Sequence, residues 1–262
     1  MTSSCKKGDQ CDFDHNTNHC KKFYIGKCKF GKKCKFSHDF QPQIKTHKKK
    51  KNTEDFAPDL TKPDMRFLVE TPSDKFKSNM SEKDVCFIPN FFTETDIYDK
   101  LLEEMKHTGF SDEKLWKRWH EGAHTIADDK LGPWKEKCPT LQMIFKKVAE
   151  YFDMEVKATR FNWYKDNSDY KPLHHDAAAI DERKAKTQNF TVGINFGATR
   201  TARFQLDSNR TKIDLPLPNG SIYTFGKQVN IDWKHGILQE PELKEGGRIS
   251  IILWGKNKQI IL

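Results

Sequence analysis

At 262 residues, with 35% apolar and 32% charged side chains, 19 Phe and 6 Trp, the chain has material for one core-bearing domain of ordinary size and a small appendage. No apolar run approaches the ~20 residues a membrane helix needs, and the opening MTSSCKKGDQC lacks the apolar stretch of a secretory leader. An intracellular protein of nucleus or cytoplasm, with no membrane partner, is therefore expected. The net charge of +9 is concentrated at one end: residues 1–51 hold 14 Lys and no Arg against 4 Asp, while the rest is close to neutral, so a polyanion-seeking head joins a neutral body.

Five of the seven cysteines lie in the first 34 residues, which in a reducing compartment suggests metal before disulfide. Cys20, Cys28, Cys34 and His38 are separated by seven, five and three residues, and three thiolates with one imidazole make a closed tetrahedral Zn(II) site. The stretch CKKFYIGKCKFGKKCKFSH resembles the CCCH zinc-finger family throughout. Gly26 and Gly31 fall where the backbone turns around the metal. Phe23, Phe30 and Phe36 alternate with lysines, and in that family such aromatics stack on single-stranded RNA bases while lysines neutralise phosphate. RNA or another single-stranded nucleic acid is the partner this implies; the alternative is a zinc-stapled tag, since ~30 residues do not fold on apolar burial alone. Upstream, Cys5, Gly8, Cys11, Phe13 and His15 repeat the second half of the pattern without its first cysteine, an incomplete finger with three zinc ligands. The head is thus read as residues 1–38, with a half finger at 5–15 and a full finger at 20–38. A polar, Lys-rich linker follows over 39–62, where Lys48 to Lys51 read as a nuclear-import signal, as added phosphate contacts, or as a solvated spacer.

The body, 63–262, opens with two helical periods. Ile97, Leu101, Leu102 and Met105 recur at helical spacing, with Thr93 or Thr95 as the expected cap, and Leu141, Ile144, Phe145, Val148 and Phe152 do the same. After residue 155 the period becomes two: ATRFNWYK, NFTVGINFG (Phe190, Val192, Ile194 and Phe196 on one face), TARFQL, KIDLPL, GSIYTFG and RISIILWG, with turn signals between. Six to eight short strands after two helices predict an α+β fold, a jelly roll (double-stranded β-helix) with helices on one side and a small zinc finger before it.

Within those strands, YKPLHHDAAAI places His174 and Asp176 two apart, facing one side of an extended chain, with His175 turned away. His235 follows on another predicted strand. Two imidazoles and a carboxylate form the facial triad of non-haem Fe(II) oxygenases, which leaves coordination positions open for a chelating cosubstrate and dioxygen. A His-x-Asp also occurs at polar strand ends, but Arg248, thirteen positions after His235, adds a guanidinium suited to the far carboxylate of a dicarboxylate. Ser250 shares its strand face and offers a second hydrogen bond there.

On these residues the body, over roughly 85–256, resembles the 2-oxoglutarate/Fe(II) dioxygenase superfamily and, within it, the AlkB-like branch. The resemblance implies that His174, Asp176 and His235 hold Fe(II) and that Asn162 and Tyr164, matching an Asn-x-Tyr pair, hydrogen-bond the two ends of 2-oxoglutarate. It also implies that Arg248 clamps the distal carboxylate. The pattern's second arginine falls on Trp254, so that contact is expected to be missing, and Ser250 stands where asparagine is usual. The implied reaction converts 2-oxoglutarate and dioxygen to succinate and carbon dioxide while hydroxylating a C–H bond; an N-methyl group would leave as formaldehyde. In AlkB-like enzymes the segment before the catalytic strands grips the nucleotide. Its counterpart here contains Trp116, Trp119, His120 and His124, which read either as base-contacting residues or, for the two Trp, as core. A protein side-chain hydroxylase in ribonucleoproteins and an RNA-binding adaptor that has lost catalysis are the other readings.

Overall fold

The computed structural model describes residues 28–38, 65–119, 123–240 and 246–260. The chain divides into two units, 1–60 and 61–262. In the first, within the described residues 28–38, a 3-10 turn, Gly31–Lys33, lies between Cys28 and Cys34. Gly31 opens it at φ +45°, a conformation that disfavours side chains, so the glycine sits where the backbone needs it. The expected ligand Cys20, Gly26, Phe23, the half finger and the lysine run lie outside the described residues.

In the second unit the alternating segments form two sheets. The larger has the order β1 (Arg66–Val69), β2 (Asp84–Ile88), β10 (Ile222–Gly226), β7 (Phe190–Gly197), β12 (Arg248–Asn257), β5 (Met154–Tyr164), β4 (His124–Ala127), β3 (Trp116–Trp119). The smaller runs β6 (Lys171–His174), β11 (Trp233–Ile237), β8 (Arg200–Leu206), β9 (Lys212–Leu217). All pairs are antiparallel except β1–β2, giving the expected α+β jelly roll. The alternation in NFTVGINFG is borne out. Phe190, Val192, Ile194 and Phe196 are buried with Ile249, Ile251 and Leu253 of β12 beneath two helices, α1 (Ile97–Lys106) and α2 (Pro139–Phe152). Each fully buried Leu, Ile or Phe contributes about 1.5–3 kcal/mol, so this layer is the main stabilising core. The opposite faces of β7 and β12 look inward at the smaller sheet, where Tyr164, Phe204, Tyr223, Phe225 and Trp233 form a second core.

Four departures from expectation have plain causes. Helix α1 is capped by Asp96, not Thr93 or Thr95, and the Asp96 carboxylate pairs with Lys100 (2.8 Å) instead of closing on the backbone. Leu102 and Phe145 are only partly buried at the rims of their helices. Strands β1 to β4, four or five residues each, are too short to display a period, and two of them turn the expected nucleotide-gripping segment into a hairpin that extends the larger sheet beyond β5. Asp176 lies just past the end of β6, before the 3-10 turn Ala177–Ala179, rather than within a strand.

Candidate metal and cosubstrate site

The inward faces of the two sheets enclose one cavity, whose lining includes Asn162 and Tyr164 from β5, Lys171 and His174 from β6, His235 from β11, Ser250 from β12, and Asp176. His174 and His235 face each other in register on neighbouring strands, with ring centroids 4.5 Å apart. The Asp176 carboxylate completes the group: His174 Nε2 is 3.5 Å from one oxygen and His235 Nε2 is 3.6 Å from the other. One ligand atom from each residue lies within 4.8 Å of the others, the spacing at which three donors share one ion.

Each donor is fixed by a contact behind it. His174 Nδ1–H donates to the Pro172 carbonyl (2.9 Å). A carbonyl only accepts, so the proton sits on Nδ1 and the Nε2 lone pair faces the cavity. Burial, with Lys171 and His235 nearby, pushes His174 down to about 4, so the imidazole is neutral at physiological pH. Asp176 is anchored by Asn230, whose side chain accepts from Asp176 N (2.8 Å) and donates to its carbonyl (3.3 Å). Burial opposes its ionisation, but His235 and His174 hold the carboxyl well below the usual carboxylate range. His175 turns away as expected, to the Asn230 carbonyl (2.7 Å) and Asp207 (3.0 Å).

No arginine stands at the second position of the pattern, but Trp254 makes a contact of its own to the site: the indole Nε1–H donates to Asp176 Oδ2 at 2.8 Å. The indole therefore holds the oxygen nearer His235, 78 residues along the chain from the residue it serves.

Arg248 is 1% exposed. Its guanidinium lies 4.9 Å from the Tyr164 ring centroid, and Nη2 donates to Oδ1 of Asn195, whose Nδ2 in turn donates to Ser221. Nε and Nη1 are buried without a hydrogen-bond partner. Buried donors are normally satisfied, so these two N–H groups fit an anion entering the cavity. Asn162, 1% exposed, donates to the Ser250 carbonyl (2.9 Å) and accepts from His124 Nε2 (3.0 Å); Ser250 lines the cavity beside it. Burial raises Tyr164 to about 12, so its phenol stays protonated as a donor.

Sequence reasoning missed several residues that the tertiary structure brings here. Asn195, Asn230, Lys171 and Arg200 carry no motif. Arg200, fully buried, ties down the turn after β5 through the carbonyls of Asp166 (3.0 Å) and Asp169 (2.6 Å). The two tryptophans divide between the two readings. Trp116 is a core residue, tilted against Phe161 and Trp163, whereas Trp119 stands beside two histidines, its ring 5.5 Å from His174 and 5.2 Å from His124. His124 is fully buried and stacked on Tyr164, and burial pushes its pKa down to about 3. His120 lies outside the described residues.

In the first unit, Cys28, Cys34 and His38 also offer ligand atoms within 4.8 Å of one another. Phe30 and Phe36 are 65% and 54% exposed, against the rule that large aromatics bury, and so are open to stacking. Among the described residues no helix is long and apolar enough to cross a membrane.

A family model described as the 2OG-Fe(II) oxygenase superfamily matches residues 111–253, and one described as a CCCH-type zinc finger matches residues 18–39. An uncharacterized protein of Acanthamoeba polyphaga mimivirus is 26% identical over 169 residues, covering 60% of this chain and 85% of its own length.

Proposed function

Because the chain belongs to the 2OG-Fe(II) oxygenase superfamily, we propose that His174, Asp176 and His235 hold its Fe(II) and that Arg248, with Tyr164 and Asn162, receives 2-oxoglutarate. Fe(II) and 2-oxoglutarate are the superfamily's cofactors, dioxygen is the co-substrate, and the finger's metal is Zn(II). When bound, the ferrous ion supplies the redox chemistry that couples decarboxylation of 2-oxoglutarate to oxidation of a C–H bond. The protein's part is positioning. His174 presents a neutral lone pair, Asp176 a carboxylate held by Asn230 and Trp254, and Arg248 two donors for the distal carboxylate. Ser250 and Asn162 line the space between. We assign the zinc site of the finger to Cys20, Cys28, Cys34 and His38.

The substrate we infer is RNA, with the enzyme acting as an AlkB-like dioxygenase that oxidises or removes a methyl group on a base presented by the finger. The observation carrying this reading is the placement of Trp119. An aromatic side chain set edge-on to a metal-site imidazole is suited to form an apolar wall for a flat base extruded from its stack. A pocket of about 330 Å³ beside Trp254, lined by Lys135, Arg160 and Lys184 against the single carboxylate of Asp129, supports a phosphate-bearing substrate. The exposed Phe30 and Phe36 among lysines support single-stranded RNA as the finger's partner.

The test is succinate formation with iron and 2-oxoglutarate in the presence of methylated oligoribonucleotides or of total RNA-binding protein, with mass spectrometry of the nucleosides before and after. Stimulation by an oligonucleotide, with loss of its methyl mark, is expected. Stimulation by protein alone would replace this reading with side-chain hydroxylation in ribonucleoproteins.

A further inference from the structure

A second cation stands in the metal cavity. Lys171, on β6 three residues before His174, lines the cavity. Its Nζ lies 5.1 Å from the centroid of the Trp119 ring, which in turn is 5.5 Å from His174. The side chain is half-buried, and Nζ has no carboxylate or carbonyl within hydrogen-bonding reach among the described residues. An ammonium at the cavity wall with no carboxylate paired to it offers its charge to an incoming anion. The nearest acid of the lining, Asp176, is already shared between the two imidazoles and Trp254. Arg248 is the other cation of this region, over the Tyr164 ring and against Asn195. Two cations thus stand close to the metal-site residues, Lys171 in the cavity lining and Arg248 over the Tyr164 ring, neither with a carboxylate partner among the described residues.

We propose that Lys171 is a second anchor for 2-oxoglutarate, a positioning residue that pairs with the carboxylate of the metal-chelating oxo-acid end while Arg248 pairs with the distal one. The inference rests on the reading of the triad as the iron site. It extends that reading by assigning opposite ends of the dianion to two different cations, and by giving the Trp119 ring the task of holding the Lys171 ammonium near His174.

The two ends are separable by equilibrium binding, with no turnover required. The full chain loaded with Mn(II) is titrated calorimetrically with 2-oxoglutarate and with pyruvate, which shares the oxo-acid end and lacks the distal carboxylate. Lys171→Met is expected to weaken both ligands by a similar factor, about tenfold to a hundredfold for a lost charge-assisted hydrogen bond, without weakening Mn(II) binding. Arg248→Gln is expected to weaken 2-oxoglutarate alone. Lys171→Arg, which keeps the charge, is expected to retain both. If Lys171→Met does not fold, Lys171→Gln against Lys171→Arg makes the same comparison. Unchanged affinity for both ligands, or loss of 2-oxoglutarate affinity with pyruvate unaffected, overturns the assignment. Failure of the wild-type chain to bind Mn(II) at all overturns the metal reading itself, and the inference with it.

Discussion

The residue that most changes the chemistry of the site is Trp254. An indole N–H is a neutral donor where the family pattern places a cation, so it orients the Asp176 carboxylate without neutralising it. Trp254→Phe keeps an aromatic ring, though a smaller one, and deletes the donor. It is expected to weaken Fe(II) or Mn(II) binding about tenfold to a hundredfold with the melting temperature of the metal-free protein little changed, as read by metal titration and thermal unfolding. Trp254→Arg is expected to restore binding. His124 supplies a different readout. It is hemmed in by Asn162, the Tyr170 carbonyl and the Tyr164 and Trp119 rings, with Lys171 and Arg248 near, and its folded pKa is about 3 against an ordinary value of about 6.5. The unfolded chain therefore binds the extra proton first. Stability from this group is complete above about pH 6.5 and is lost as the pH falls toward 3. Chemical denaturation across that window should show His124→Gln losing up to about 1.4 kcal/mol per pH unit less than wild type.

At the scale of elements, the site depends on β7 and β12 being buried on both faces. Their outward residues lock under α1 and α2, and their inward residues line the cavity or brace its arginine. Gly193 illustrates the constraint. It pairs with Tyr223 across β7 and β10, and a Cβ there would fall 2.2 Å from the Tyr223 ring. Gly193→Ala is expected to push that ring toward the cavity, weakening 2-oxoglutarate binding by more than tenfold and costing about 1–3 kcal/mol of stability, measured by calorimetry and denaturant unfolding. Retained affinity would mean that the wall yields elsewhere. The hairpin β3–β4 brings Trp119 to the site by adding to the sheet edge at β5, with Thr125 opposite Trp163 and Ile126 opposite Asn162. A four-residue strand reading WKRW offers too few alternations to announce this from sequence.

For the whole molecule, the finger and the oxygenase unit meet different demands: one supplies charge and exposed aromatics, the other a shielded cavity. Cys28→Ser is expected to unfold the finger, since a domain this small depends on its metal, and to weaken RNA binding at least tenfold. It should leave uncoupled turnover of 2-oxoglutarate intact. Filter binding and succinate release measure the two, and loss of both together would contradict their independence.

The residue types able to ligate metal, their order along the chain, and the face buried by the longer strands were legible in the sequence. Donor chemistry follows from side-chain type, and alternation follows from the period of an extended chain. Hence His174, Asp176, His235 and Arg248 could be picked out as candidates, and the apolar face of NFTVGINFG read, before any coordinates. What only the tertiary structure decided are contacts between segments far apart in sequence, which no local pattern encodes: Trp254 reaching Asp176, Asn230 clamping its backbone, Asn195 bracing Arg248, and Trp119 and Lys171 brought together beside His174. Those partners are selected by how two sheets close on each other, and that closure is set by packing of the whole core.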